Sequence, residues 1–434
     1  PPEELTAIFH PLLAKCGFRL EEPIQMKGGV MAELHKRKGG KLQCAAFRGI
    51  LLSDGSSKGH HKHLRNNLDE SLRSYALPEQ FGGMSGRAAD VASLMVRLQT
   101  TLARQQGLSE AKLYIDVRSA FYCVLRAPAM PQGLSDEQVA YLMHVMGWMP
   151  ADLHEFLEFL QQDPRSVAGV DPHLKELVRE AHEQTWISTE GLEDVAPTTQ
   201  GVLPGDPLAD EVFNFMMSRA LRLLKPKLQE YELQWQVPWT GQPDFTQHSD
   251  HRNSTEGSCD VGVNTFVDDN CFAHAAPAEK IVSNAMCLAG IVTQMFEGMG
   301  LFLNWDLGKS ELVLTLRGAG APSVARYVYV DCDSKLNISL PDKKPFDLHV
   351  TMRYKHLGAM QHRDGLMLPE YTARVHSARA TFRSLGPKVF RSRFYSYYTK
   401  VSLANSLVWS KLFLYAGTWP ANAPRLLHVV HKEY

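Results

Sequence analysis

Apolar and polar positions alternate along residues 29–53 (GVMAELHKRKGGKLQCAAFRGILLS), which predicts strands joined at Gly39-Gly40. The spacing then widens to that of helices over residues 61–77 and 87–106. An apolar run from Leu113 starts a strand, LYIDVRSAFYCVL. Residues 134–184 predict three helices parted by Pro and Gly, with Asp136, Asp152 and Asp171 near their starts, where acids suit the helix dipole. The turn VLPGDP at 202–207 leads into an amphipathic helix over 208–224, and residues 225–260 have the composition of a surface loop. Two strand-like segments, 261–267 and 271–275, flank Asp268-Asp269-Asn270, a turn-forming trio. A helix follows over 277–299, then strand-like stretches at 301–305, 310–316, 325–331 and 346–360, and a mostly helical last sixty residues.

The pattern poses a chemical question at NTFVDD, residues 264–269. A buried, unpaired carboxylate is costly, so such a group protonates, pairs or binds a metal. Asp116 ends another apolar run, Leu113-Tyr-Ile. Neighbours on a regular strand face opposite ways, but a hairpin tip relaxes that limit. If the two segments are adjacent strands, carboxylates from both converge into a site suited to two Mg²⁺ ions, which take oxygen ligands and retain waters and phosphates.

Bulk composition narrows the setting. The chain has 434 residues, 44% hydrophobic and 21% charged, enough for two to four structural units. It has neither an apolar run of about 18 residues nor a signal-peptide pattern, so no membrane partner is expected. Seven cysteines without CxxC pairing point to a reducing, intracellular compartment, nucleus or cytoplasm. Pro1 is not a natural start, so a fragment is expected. The net charge of −1 hides a strong asymmetry. Residues 26–65 carry nine Lys/Arg against Glu33 and Asp54, a net of +7. Residues 371–434 carry ten against Glu433 alone, a net of +9, which leaves −17 for the rest. Two basic ends around an acidic middle suggest a polyanion held on both sides of a metal centre. HHKH at 60–63 is a site only for adventitious metal, and FGGMSG lacks the strand context of a dinucleotide fingerprint.

Eight blocks occur in order: KRKGG, FRGILL, QFGGMSGR, YIDVRSAFY, QGVLPGDPLADEVFN, FVDD, GLFLNWDLGKSEL and YKHLGAMQHRDG. Together, over about residues 28–415, they resemble the reverse transcriptases of non-LTR (LINE-type) retrotransposons. The resemblance implies an α+β, right-hand polymerase. Its fingers would be 1–110, with a palm strand at 111–126, a helical insertion at 127–184, the palm at 185–367 and a C-terminally shortened thumb at 368–434. It implies RNA-directed DNA polymerisation with an RNA template, a DNA primer, dNTPs and two Mg²⁺ (or Mn²⁺) ions. Asp116 and Asp268 would be metal ligands and Asp269 would support them. Phe121 would be the gate against a 2′-hydroxyl, with core packing as its alternative role. Lys36 and Arg48 would reach the triphosphate, Gly205 would let backbone approach the nascent pair, and Pro207 would begin the helix behind it. Lys309 would stand near the leaving pyrophosphate, or on an ordinary surface. Leu357 and Gly358 would hold the primer end. Arg379, Arg383, Arg391 and Arg393 would follow the product duplex.

Three positions depart from that family's pattern: Pro204 where Gln is usual, Tyr122 where most members have Asp, and a longer spacing from Asn304 to Lys309. No endonuclease or ribonuclease H segment is recognisable. Two further readings stay open, a non-catalytic remnant that binds RNA or RNA–DNA hybrid, and an RNA-templated RNA polymerase, against which Phe121 argues.

Overall fold

Alternation does produce the first strand pair: Gly28–His35 and Phe47–Leu52 run antiparallel, with Leu34 opposite Arg48 and Met31 opposite Leu51. The computed structural model describes residues 2–419 except 37–38, 41, 127–128, 132–133, 147, 192, 240–256 and 342. It is an α+β protein, as expected, and divides into two units. The first comprises Pro1–Gly86, Asp116–Leu233 and Leu288–Asn304; the second comprises Arg87–Ile115, Gln234–Cys287 and Trp305–Tyr434.

In the first unit the hairpin is not a tight turn at Gly39-Gly40. Lys36 N donates to Ala46 O (2.7 Å) and a 3₁₀ turn at Cys44–Ala46 delays the return strand to Phe47. Local turn hydrogen bonds, Gly40 N to Gln43 Oε1 (3.3 Å) and Ala46 N to Gln43 O (2.9 Å), win over strand pairing here. Trp186–Thr189 adds in parallel to the outer edge of Gly28–His35, and Val195–Pro197 pairs with it in turn. Helix Gly55–Tyr75 starts at Asp54, whose carboxylate accepts from Ser56 N (2.7 Å) and Ser57 N (2.9 Å). Its Leu64, Leu68 and Leu72 are buried, and it packs on helix Ala209–Glu230, with the Tyr75 and Phe215 ring centroids 5.8 Å apart. That helix starts at Ala209, two residues after the expected Pro207, and runs on through Pro226. Residues 134–184 form the expected helices plus a short Pro164–Val167 turn, with Asp163 and Asp171 as caps. Residues 301–305 make only an isolated bridge, Leu303 to Val117, rather than a strand. An N-terminal helix, Pro2–Arg19, is an element the sequence pattern did not suggest.

In the second unit one sheet carries the strands in the order Lys335–Ile338, Phe346–Thr351, Glu311–Thr315, Ser109–Ile115, Asp269–Ala276, Val263–Phe266. All seven residues of Ser109–Ile115 are buried. Its two charges are matched internally. Lys112 Nζ lies 3.2 Å from Glu110 Oε1 and donates to Val96 O (2.7 Å) and Thr100 Oγ1 (2.5 Å) of helix Ala89–Gln105. Residues 325–331, expected as strand, are helical: Ala321–Arg326 continues into a π-type turn at Tyr327–Asp331. The alternating Tyr and Val have no sheet to cover there; Val328 alone of Tyr327–Asp331 is buried. The 346–360 run breaks at Met352 into Phe346–Thr351 and a separate hairpin, Arg353–His356 with Ala359–His362. The expected loop at 225–260 begins as helix, since Ala209–Glu230 runs into it, and holds a strand pair, Gln236–Trp239 with Gly257–Asp260; residues 240–256 lie outside the described residues. As far as residue 419 the C-terminal region is mostly helical as expected, with Leu368–Leu385 and Tyr397–Ala404 each followed by a π-type turn; residues 420–434 of that expectation lie outside the described residues. No helix among the described residues is long and apolar enough to cross a membrane.

Glu211, in the first turn of Ala209–Glu230, is fully buried, and neither carboxylate oxygen has a hydrogen-bond partner. Burial raises its pKa to about 8, against the opposing pull of Arg65, whose Nε is 3.4 Å away. The folded state therefore holds a proton that the unfolded state releases near pH 4.5, and stability falls as pH rises from there to about 8. Glu211→Gln should flatten this slope and raise the melting temperature at pH 9. Calorimetry across pH 5–9 checks it; an unchanged slope would remove Glu211 from the account.

Candidate active site

The Asp-Asp hairpin is tighter than its sequence suggested. Phe266 pairs with Asp269, so the turn is Val267-Asp268, and Asp269 and Asn270 already belong to the returning strand. Asn270 explains the shift. It is buried, pairs with both Thr265 and Ile115, and donates from Nδ2 to Asp268 O (2.9 Å). The turn forces Val267 to φ 56°, a left-handed conformation that costs a β-branched residue about 1–3 kcal/mol. Asp268 is half-buried on the turn and Asp269 is exposed at the strand start. Ile115, the partner of Asn270, is the residue immediately before Asp116.

The same unit anchors the Leu357-Gly358 hairpin. Both residues have positive φ (51° and 83°), as a two-residue turn between His356 and Ala359 requires. Leu357 O accepts from Tyr415 Oη (2.5 Å) and Gly358 O from Arg374 Nη2 (2.6 Å), while Glu370 holds Arg374 (2.7 Å) and Met360 N (2.6 Å). Below the turn, Tyr354 stacks on Tyr114 at 4.4 Å and the buried His356 ring lies 5.3 Å from Tyr114. Burial pushes His356 down to about 4 against the opposing influence of the Asp269 backbone, so it is neutral at pH 7. The turn and the Asp-Asp strand thus share one packed layer. Lys309 is exposed in a turn closed by its N–H on Asp306 O (3.0 Å).

In the first unit, the chain after Asp116 is pinned through Asp116 O, which accepts from Asn304 N (2.9 Å), and by Arg118 N on Phe302 O (2.8 Å). A short helix, Ala120–Cys123, then presents Phe121 and Tyr122. The half-buried Phe121 ring leans on Phe213, with centroids 5.0 Å apart. Tyr122 Oη donates to Gly49 O (3.0 Å), beside Arg48. The tyrosine that departs from the resembled pattern therefore ties this helix to the strand carrying Arg48. Arg48 and Lys36 are both exposed.

Gly201 and Gly205 fix the turn that follows. Gly201 N donates to Val124 O (2.8 Å) and Val202 N to Phe121 O (2.6 Å); at φ 77°, a Cβ on Gly201 would come within 2.4 Å of Tyr122 O. Leu51 N donates to Pro204 O (2.8 Å), and a Cβ on Gly205 would come within 2.6 Å of Leu51 O. The close approach at Gly205 is to the chain's own strand, Phe47–Leu52. Arg126 gathers the preceding loop. It donates to the carbonyls of Gly201 (2.6 Å), His182 (2.5 Å), Thr198 (3.4 Å) and Gln200 (3.4 Å) and to Thr185 Oγ1 (2.9 Å), and burial lowers its pKa to about 10.

Sequence reading missed a buried acid–histidine bridge behind this turn. His61 Nδ1 is 2.5 Å from Asp206 Oδ2 and its Nε2 is 3.1 Å from Glu22 Oε2; His60 Nε2 is 3.3 Å from Glu22 Oε1. The HHKH run is thus mainly structural. Burial opposes both charges, yet the two carboxylates raise His61 to about 10 and the two histidines hold Glu22 at about 2. The clue in the sequence was a His pair on the inward face of an otherwise polar helix.

The expected site residues divide between the units: Lys36, Arg48, Asp116, Phe121 and Gly205 belong to the first, and Asp268, Asp269, Lys309, Leu357 and Gly358 to the second. Among the described residues no group of three or more His, Cys, Asp or Glu is arranged to hold a metal ion. Arg379 and Arg383 line a groove on helix Leu368–Leu385, and Arg391 and Arg393 are exposed beyond its π-type turn.

No family model and no curated protein matches the chain. Among solved structures it is similar to telomerase from Candida albicans in complex with a fragment of telomeric RNA, at 12% identity and TM-score 0.39 over 100% of this chain and 66% of that one. It is also similar to apo telomerase from Candida tropicalis, at 11% identity and TM-score 0.40 over 94% and 61%. A form of that enzyme truncated from its C-terminal domain gives 13% identity and TM-score 0.39 over 68% and 51%. The chain thus spans between about half and just under two thirds of those chains.

The Glu22–His61–Asp206 bridge has a defined pH window. His61's contribution is complete below its unfolded value near 6.5 and is lost as pH rises through about 10. Glu22's is complete above about 4.5 and is lost as pH falls through about 2. His61→Gln should therefore cost most at pH 4.5–6.5, by about 3 kcal/mol, and progressively less toward pH 10. Melting curves across that range check it; a pH-independent loss would show that His61 acts by shape alone.

Proposed function

We propose that this chain is the polymerase region of an RNA-directed DNA polymerase, extending a DNA primer with dNTPs on an RNA template. The observation that supports this most is the hairpin register. The strand opening with Asp269 pairs, through Asn270, with the strand that runs directly into Asp116. That gives the acidic motif the connectivity a palm requires. The non-LTR resemblance supplies the finer assignment, including the fingers, palm and thumb ranges.

The carboxylates fit hard cations: they are oxygen donors, half-buried at Asp116 and Asp268 and exposed at Asp269, and none is taken out of reach in the core. Asp116 and Asp268, supported by Asp269, would hold two Mg²⁺ ions (or Mn²⁺), which when bound would activate the primer 3′-oxygen and neutralise charge on the leaving pyrophosphate. The chain's other residues bind and orient. Arg48 offers a planar fork to the triphosphate and Lys36 a point charge. Phe121, braced by Phe213, crowds a 2′-hydroxyl and selects dNTPs. Lys309 donates a proton toward pyrophosphate. Leu357 and Gly358 hold the primer end, on a turn anchored from Tyr415 and Arg374.

Primer extension on poly-rA/oligo-dT with Mg²⁺ or Mn²⁺ tests the reaction. Incorporation is expected, and Asp116→Asn or Asp268→Asn should abolish it with the melting temperature retained or raised. Full activity in either variant would overturn the two-metal assignment.

Phe121→Val should raise the efficiency ratio of rNTP to dNTP about tenfold or more, as steric discrimination in a pocket allows. An unchanged ratio in single-nucleotide kinetics would leave Phe121 as a packing residue on Phe213.

A further inference from the structure

Residues 391–400, RSRFYSYYTK, combine two features that seldom coexist on a solvated surface. Phe394 is 99% exposed, Tyr397 84% and Tyr398 83%. Isolated exposed apolar residues need no explanation, but three almost fully exposed rings within five residues form a patch. Arg391 and Arg393 precede these rings and are exposed as well, with Lys400 one helical turn further on. The segment is ordered: Ser396 caps helix Tyr397–Ala404 through Thr399 N (3.1 Å), so both tyrosines project from its first turn.

The helix leads from this patch to a second feature. Ala404, its last residue, lines a groove of about 400 Å³ with Phe382, Trp409 and Leu412, rimmed by Arg379 and Arg383. Eight residues of helix span about 12 Å, the length of roughly three to four stacked nucleotides at about 3.4 Å each. From residue 371 to 432 the sequence contains no Asp or Glu. Every charge on this path is positive.

We propose that residues 391–398 are a stacking platform for single-stranded nucleic acid, running along helix Tyr397–Ala404 toward the Arg379–Arg383 groove. Arginines alone would suffice for the phosphates of a duplex. The rings need a partner with free π-faces, and bases in a duplex present theirs to one another. An apolar protein partner would account for the rings but not for cations without a single acid. The proposal goes beyond polymerisation, because a platform of this kind binds whether or not the chain extends a primer.

The test is fluorescence anisotropy of the full chain with labelled 15-nucleotide oligo-dA, oligo-rA and a DNA duplex, each over a salt series. Phe394→Ala/Tyr397→Ala/Tyr398→Ala should weaken single-strand binding at least tenfold, leave the salt slope unchanged and alter duplex binding less than threefold. Arg391→Gln/Arg393→Gln should flatten the single-strand salt slope by about 1.4. The Leu triple at the same three positions should behave as the Ala triple, since it restores apolar area without a ring. Comparison of oligo-dA with oligo-rA identifies the sugar preferred. Melting temperatures confirm folding, which side chains this exposed should not alter. Single-strand affinity equal to wild type in the Ala triple overturns the proposal, as does full rescue by leucine, equal loss of duplex binding, or ring-dependent binding to anionic vesicles in place of oligonucleotide. If the wild type binds single strands through these rings yet fails primer extension, the platform stands and the polymerase reading falls.

Discussion

A strand buried along its whole length must put its reactive charge at an end. Ser109–Ile115 is such a strand, and inside it Glu110 and Lys112 neutralise each other under helix Ala89–Gln105. Asp116 is the first residue past that covered stretch. Because Asn270 pairs with Ile115, the neighbouring Asp268 and Asp269 are likewise delivered to the end of their strand. Burial of this one strand therefore sets the register of the hairpin, and the register sets where the carboxylates emerge. Strain at Val267 and the hidden carboxamide of Asn270 are the local cost of meeting it.

Secondary structure was legible wherever periodicity and burial agree. Helices 61–77 and 208–224 and the strands around Tyr114 and Phe272 were clear because one face, or both, is packed. Reading failed where pattern had no packing partner. Residues 325–331 alternate like a strand, yet nothing covers a second face, and the backbone satisfies itself as a helix. Residues 36–46 look like a Gly-Gly hairpin, but Gln43 offers hydrogen bonds that close smaller turns first.

The candidate site divides in the same way. Asp116, Asp268 and Phe121 were visible because their neighbours are apolar and they are not. Gly201 and the Glu22–His61–Asp206 bridge were invisible for the opposite reason: their roles depend on residues more than 75 positions away in sequence, for Gly201 against Tyr122, or 39 and 145 away, for His61. Tyr122 shows how a departure from a familiar pattern can be reread once its contacts are known. A carboxylate there would face the Gly49 carbonyl, which only a donor can satisfy.

Arg126 holds the loop before Gly201 mainly by main-chain oxygens, which every residue type possesses, with the Thr185 and Thr198 hydroxyls as its two side-chain acceptors. Apart from those two threonines, such a clamp recognises the path of the chain and not the side chains that lie along it. Residues between His182 and Gly201 are therefore free to diverge wherever their own contacts permit, provided that loop length and backbone course are kept. An insertion or deletion there would disturb the turn at Gly205 more than most substitutions would. Drift in this region should accordingly take the form of changed letters rather than changed spacing.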